Sequence, residues 1–261
     1  MKRLIFGLFS LLILSSCNFT EEITFNEDGS GEFVMSYDMG EVMKAVEGMT
    51  EQESKEKKEK VKLDSVVYFK DLLVEKADSI AQLPVEEQEQ LKALEDIVMK
   101  MNMDEANGVM KFGFGASFTS LADLPNALDK IDQAKKMNSR ENPQYSQMDN
   151  SAVTKASENM LEYVDYNYDG KTFSRFLKKD FKQSEEDLEA LNNEIAEMGE
   201  AEAMFEAMSY TLLYHFPKPI KSVSNKNAQI SDDGKSVSVT IKFLDMVRHP
   251  ENTILDVTLE D

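Results

Sequence analysis

Asp165, Asn167, Asp169 and Gly170 have the spacing of the first half of a calcium-binding loop, in which oxygen ligands alternate along the chain. Glycine at the sixth position of such a loop permits a sharp turn. The twelfth position, which should supply a bidentate Glu, is Phe176. Two interpretations stay open, a calcium-dependent binding module and a hairpin with an Asp-Gly turn. We predict no metal site and no cofactor, and keep the three side chains as calcium candidates.

Met99, Met101 and Met103 alternate along the chain, and Met110 follows after a turn. Thioethers arranged in this way are soft ligands that suit Cu(I). The alternative is a strand with a methionine-rich core face, because methionine fills irregular gaps and this chain has 16 methionines and no tryptophan. We favour the core strand.

The two histidines, His215 and His249, are the residues best suited to general-base chemistry at neutral pH. A histidine base needs a nucleophile or a polarised water within reach, and no serine stands in a G-x-S-x-G context. The carboxylates are too numerous for spacing to select an acid–base pair. We therefore predict no catalytic residue and a protein that is not an enzyme. A hydrolase with an unidentified carboxylate or histidine site is the alternative.

The single cysteine, Cys17, follows a secretory signal. Lys2 and Arg3 form a positive start, and Leu4 to Leu14 is apolar. At ~1.5 Å per residue this apolar stretch is too short to cross a hydrocarbon core of ~30 Å. The segment Leu14-Ser15-Ser16-Cys17 resembles the lipobox of bacterial lipoproteins, whose cysteine thiol takes a diacylglyceryl group before cleavage. The resemblance implies a signal peptide over 1–16 and lipid attachment at Cys17, with fatty acyl groups such as palmitate.

Composition narrows the possible partners. The formal net charge of -20 argues against nucleic acid, whose phosphates would repel the chain. One cysteine excludes internal disulfides and zinc sites built from several thiolates. Acyl chains anchor a protein by burying methylene groups at ~0.8 kcal/mol each. We therefore expect a cell-envelope protein, lipid-anchored and facing the periplasm, with the membrane and a lipid or protein as its partners.

Alternating apolar residues around Asp-Gly turns predict strands that pair as hairpins, and apolar residues at helical spacing predict several helices between them. Hairpins mixed with helices, without a regular β-α-β pattern, indicate an α+β fold with an antiparallel sheet built from hairpins and packed amphipathic helices. We predict a single domain over 17–261. Within it we expect 19–38 and 209–260 to share one sheet, 40–208 to be a helix-rich middle with hairpins, and 137–151 to be a mobile loop.

Two segments carry family resemblances. The run from Cys17 to Gly31, a lipobox followed at once by a hairpin, looks like uncharacterised lipoproteins of Bacteroidota type. The runs from Phe216 to Asn225 and from Ser231 to Val237 are similar to the closing motif of LppM-like domains. The second resemblance implies an antiparallel sheet with helices on a lipid anchor, and binding of a lipid headgroup or acyl chain. It offers no catalytic residues. A binder of this kind should show a Met/Phe-lined groove or an exposed apolar patch.

Overall fold

The computed structural model describes residues 18–40, 61–131, 161–182, 184–197 and 206–261. Cys17 and the predicted mobile loop at 137–151 lie outside these ranges. The described strands are β1 (Asn18–Phe25), β2 (Gly31–Asp38), β3 (Lys62–Tyr68), β4 (Ile97–Asp104), β5 (Val109–Phe118), β6 (Val164–Tyr168), β7 (Thr172–Leu177), β8 (Ser209–His215), β9 (Ile220–Val223), β10 (Gln229–Ile230), β11 (Ser236–Lys242) and β12 (Leu255–Leu259).

The described helices are mostly short. They are α1 (Phe69–Glu75), α2 (Ala77–Ile80), α3 (Val85–Ala93), α4 (124–131), α5 (Glu185–Glu197) and α6 (Phe243–Arg248), with 3₁₀ turns at Leu121–Asp123 and Pro250–Thr253. The longest of them, α5, buries Leu191 and Ile195 against the core, and the hydroxyl of Ser184 accepts a hydrogen bond from the Asp187 amide at its start.

The strands form two sheets that enclose the core. The larger sheet has the order β10-β11-β8-β1-β2-β5-β4-β3, and the smaller has the order β6-β7-β12-β9. Because side chains alternate along a strand, one face of β1 carries Ile23 and Phe25, which are fully or almost fully buried. The smaller sheet covers this face beside β1 and β8, where the rings of Phe173 and Tyr214 lie 4.8 Å apart.

The α+β fold with mostly antiparallel sheets is confirmed. The strand pairing differs from the prediction of one sheet for 19–38 and 209–260, because β9 and β12 belong to the smaller sheet. Pro217 and Pro219, which donate no backbone hydrogen bond, separate β8 from β9. The helix α6 starts at Phe243, directly after β11, and turns the chain toward β12. Strand β1 also pairs in parallel with β8.

The larger sheet has two ends of different character. At one end, which we call the Asn18 pole, Asn18 pairs with Asp38 and Ser209, and Asp38 pairs with Lys111. The opposite end, the turn pole, holds two Asp-Gly hairpin turns of this sheet, and the Asp-Gly turn between β6 and β7 of the smaller sheet lies beside them. Their glycines adopt the positive φ that such turns need, and they are Gly29 (φ 83), Gly170 (φ 86) and Gly234 (φ 71).

Candidate functional site

A buried ion pair joins the two sheets. Glu21 on β1 and Arg175 on β7 have side chains that are 0% and 1% exposed. The guanidinium donates from Nε and Nη2 to the two carboxylate oxygens, at 3.2 and 3.0 Å. Its Nη1 donates to the carbonyl and the hydroxyl oxygen of Thr253. The buried guanidinium is thus paired with the carboxylate and also hydrogen-bonded to Thr253, as burial of an ion pair requires.

Three tyrosines complete the coordination of this carboxylate. Tyr166 donates its hydroxyl to Oε1 of Glu21 at 2.8 Å, and Tyr210 donates to Oε2 at 2.6 Å. Tyr214 donates to Oε1. With the arginine, two oxygens therefore accept five hydrogen bonds.

Burial and charge compete in setting the protonation of this cluster. Burial acts to raise the pKa of Glu21, but the charge of Arg175 and the hydrogen bonds from Arg175, Tyr210 and Tyr214 hold that pKa below its ordinary value. Burial, and then the negative charge of Glu21, raises the pKa of each of the three tyrosines well above its usual range.

This cluster holds the sheets together and leaves Glu21 no free lone pair for a substrate. Spacing along the sequence does not predict this cluster. The signal was an acidic residue on the apolar face of β1 and an arginine inside the apolar run of β7. Neither residue reveals its partner, which lies 154 positions away along the chain.

The predicted methionine strand is β4, and it pairs with β5 and β3. The register places Met99 beside Phe114, Met101 beside Phe112 and Met103 beside Met110. All six side chains share the inner face of the larger sheet and are half-buried. We call this set the methionine strip; it consists of Met99, Met101, Met103, Met110, Phe112 and Phe114.

The methionine strip contacts the core at its end away from the Asn18 pole and adjoins an exposed apolar residue at the other end. At the end nearer the turn pole, Met99 and Phe114 pack against the buried core, next to Ile97, which is 2% exposed. At the end nearer the Asn18 pole, Leu63 on β3 lies opposite Met103 and is 41% exposed. The strip is a Met/Phe surface that the core only partly covers.

The three calcium candidates lie in one hairpin. Asp165 and Asn167 are on the exposed face of β6, and the Asp169 carboxylate accepts backbone hydrogen bonds from Lys171 and Thr172 in the turn. Among the described residues, no three His, Cys, Asp or Glu side chains come together in a way that could hold a metal ion. Calcium binding by this hairpin stays a prediction.

His215 joins a polar network on the outer face of the larger sheet. Its Nδ1 lies 2.8 Å from Oγ of Ser236, and its Nε2 lies 3.1 Å from Oε1 of Glu22. The hydrogen bond with His215 is the main cause that lowers the pKa of Glu22. His249 is more exposed and contacts Glu251 at 3.3 Å.

A cleft of about 610 Å³ lies at the turn pole. The turns that line it bring Glu27, Asp28 and Asp169 close to Lys218. Asp28 and Asp169 accept hydrogen bonds from their own turns, which lowers the pKa of each carboxyl. These hydrogen bonds stabilise the conformation of the two turns.

Cys17 lies outside the described residues, and lipid attachment at this residue stays a prediction. Residues 1–18 match the prokaryotic membrane lipoprotein lipid attachment site. This motif indicates a membrane-anchored lipoprotein. Among the described helices, none is long and apolar enough to cross a membrane.

The other comparisons are more distant. No curated protein matches the chain. The NMR structure of the folded domain of Mycobacterium tuberculosis LppM aligns over 94% of this chain and 91% of that chain, with 9% sequence identity and a TM-score of 0.34. A similarity of this size supports no further conclusion, and the resemblance to Bacteroidota-type lipoproteins stays a prediction.

Proposed function

We propose that this lipoprotein is a non-enzymatic binding module of the cell envelope, facing the periplasm, and that its methionine strip binds the acyl chain of a lipid. The observation that carries the proposal is the incomplete burial of the strip. Six large apolar side chains share one face of β4 and β5, yet all are only half-buried. Such a surface is typical of binding sites.

The chemistry of the strip favours a flexible apolar ligand. Methionine has three rotatable bonds and a polarisable sulfur, so a methionine surface adapts to ligands of irregular shape. Residues two apart on a strand are ~7 Å apart, so the three cross-strand pairs extend over about 13 Å. The lipid anchor keeps this surface next to a supply of acyl chains.

The proposal is tested by titrating residues 18–261 with a fluorescent fatty acid. Met101→Glu and Met103→Glu place a charge on the strip, and we expect at least about tenfold weaker binding, or ~1.4 kcal/mol. Val74→Glu is the control, because Val74 is 78% exposed on α1, away from the strip. Equal affinity of all four proteins would contradict a site on the strip. No binding by the unaltered protein would contradict an acyl ligand and favour a protein partner.

The His215 network favours a second candidate, an envelope hydrolase. Ser236, His215 and Glu22 are linked in the order of a nucleophile, a base and an acid. However, the backbone amide of Ser236, a natural donor to an oxyanion, already donates to Oγ of Ser231 at 2.9 Å. For this reason the binding module is our first choice.

Labelling with a fluorophosphonate, which reacts with activated serines, tests the second candidate. A hydrolase would be labelled, and Ser236→Ala would abolish the label. Ser238→Ala, two residues further along β11, would leave it unchanged. We expect no label on the unaltered protein.

A further inference from the structure

We infer that the Asn18 pole of the larger sheet rests on the bilayer surface, so that the turn pole points away from the membrane. The partner surface is the headgroup region of the anchoring membrane. Three observations carry the inference: the position of the anchor, the exposed apolar side chains at this pole and the distribution of charge.

The anchor leaves almost no linker. Consecutive Cα atoms lie ~3.8 Å apart, so the backbone of Asn18 directly adjoins the cysteine that the attachment motif marks for lipidation. Asn18 is already the first residue of β1, and it pairs with Asp38 and Ser209. Its side chain also accepts a hydrogen bond from the Ser209 hydroxyl. The edge of the folded domain therefore starts where the anchor ends.

Apolar side chains are exposed at this pole. Met39 directly follows β2 and is 37% exposed, and its amide donates to the carbonyl of Met110. Val61, just before β3, is 47% exposed, and Leu63 is 41% exposed. Burying such side chains in the interface stabilises docking by ~25 cal/mol for each Å² of apolar surface.

Charge differs between the two poles. Among the described residues, the strand ends at the Asn18 pole hold three carboxylates and three lysines, and Glu105 in the adjoining turn adds a fourth carboxylate. The charged residues of the strand ends are Asp38, Asp64, Asp104, Lys62, Lys111 and Lys242. Two lysines there form ion pairs, Lys62 with Asp104 and Lys111 with Asp38. The net charge of the described residues at this pole is therefore close to zero, so anionic headgroups repel these residues only weakly.

The turn pole carries excess negative charge. Its three Asp-Gly turns, over 26–30, 169–171 and 231–235, contain five carboxylates and two lysines. The eight residues of β1 separate the poles by about 25 Å at ~3.3 Å per residue. This distance exceeds the screening length of ~8 Å at physiological salt. With the Asn18 pole on the bilayer, these carboxylates avoid the field of anionic lipids. The inference does not depend on the ligand proposed for the methionine strip.

Site-directed fluorescence tests this orientation on the full, lipidated chain. Cys17 is the only cysteine and is expected to be acylated, so an introduced cysteine gives one labelling site. We would place an environment-sensitive dye at Met39→Cys or Leu63→Cys at the Asn18 pole. The matched controls are Glu27→Cys and Asp232→Cys, both exposed at the turn pole. Each protein is inserted into vesicles of phosphatidylethanolamine and phosphatidylglycerol with a nitroxide on part of the headgroups.

The expected result is a loss of most of the emission from dyes at positions 39 and 63, with unchanged emission at 27 and 232. Equal quenching at both poles would show a domain lying flat and would overturn the inference. Quenching at neither pole would show a domain held off the bilayer and would also overturn it. Unaltered thermal unfolding of the labelled variants shows that each one is folded.

Discussion

Glu21 is the residue on which the junction of the two sheets depends. Its carboxylate is fully buried, and Arg175 supplies the opposite charge from the other sheet. Breaking a buried pair by removing one charge is more damaging than replacing both members, because it leaves an unpaired buried charge. The effect of a substitution here should therefore depend on what happens to the partner.

Glu21→Gln should lower the free energy of unfolding by about 3–5 kcal/mol, measured by urea titration, because Arg175 stays charged and buried. Replacing both residues, as Glu21→Leu with Arg175→Met, should restore much of the loss. Glu22→Gln is the matched control. The neighbouring carboxylate lies on the other face and is partly exposed, so its loss should cost about 1 kcal/mol or less. A similar loss of unfolding free energy in Glu21→Gln and Glu22→Gln would contradict this account.

The same cluster sets the dependence of stability on pH. The folded pKa of Glu21 is lowered, so its contribution is complete above the ordinary value of 4.5 and is lost as pH falls below it. The pKa values of Tyr166, Tyr210 and Tyr214 are raised. Their contribution is complete below the ordinary value of 10.0 and is lost as pH rises through their folded pKa values.

The loss of stability at high pH is measured by following the ultraviolet absorbance of tyrosinate as the pH is raised. Three of the eight tyrosines should stay protonated until the protein unfolds, and should then ionise in the same cooperative step. Tyr210→Phe should reduce that step from three tyrosines to two. Gradual ionisation of all tyrosines before unfolding would show that the cluster is accessible to water.

At the residue scale, the side chains that follow a local pattern could be predicted from the sequence. Met99, Met101 and Met103 were predicted to share one strand face, and they do. The Glu21 cluster was not predicted, because local spacing cannot tell which arginine will meet a carboxylate in the folded chain. The same limit applies to Ser236 and Glu22, which His215 joins across strands.

At the scale of elements, the close contact of β2 with β5 depends on glycine. A Cβ atom at Gly115 would lie 1.9 Å from the carbonyl oxygen of Phe33 and 2.7 Å from the Cα of Val34. Backbone atoms cannot yield as a flexible side chain can. At Gly113, in contrast, the nearest atoms belong to side chains, 2.9 Å away and beyond.

Gly115→Ala should therefore destabilise the protein by about 3 kcal/mol or more, and Gly113→Ala by about 1 kcal/mol. Thermal or urea unfolding of the two variants gives the comparison. The order of the two costs is the test, and a larger cost at Gly113 would contradict the tight packing of β2 on β5.

Local signals predicted the hairpins better than the assembly of the sheets. Asp-Gly pairs mark reversals because glycine accepts positive φ, and Gly29, Gly170 and Gly234 all adopt it. The parallel pairing of β1 with β8 and the separate smaller sheet were not predicted. These contacts join strands far apart in the chain, and periodicity shows which face a strand buries but not which strand lies beside it.

At the scale of the whole molecule, the anchor, the methionine strip and the Asn18 pole belong to one end of the domain. The attachment motif ends at residue 18, where β1 begins. The strip reaches the Asn18 pole of the larger sheet at Met103 and Met110. In the proposed orientation, this end of the strip lies beside the membrane that anchors the protein.

The most direct test of the account is native mass spectrometry of the full lipidated protein, released gently from membranes in detergent. We predict the mass of residues 17–261 with acyl groups on Cys17, plus one retained adduct of lipid size that Met101→Glu removes. A protein that carries only its anchor, or an adduct that survives Met101→Glu, would contradict lipid binding by the methionine strip.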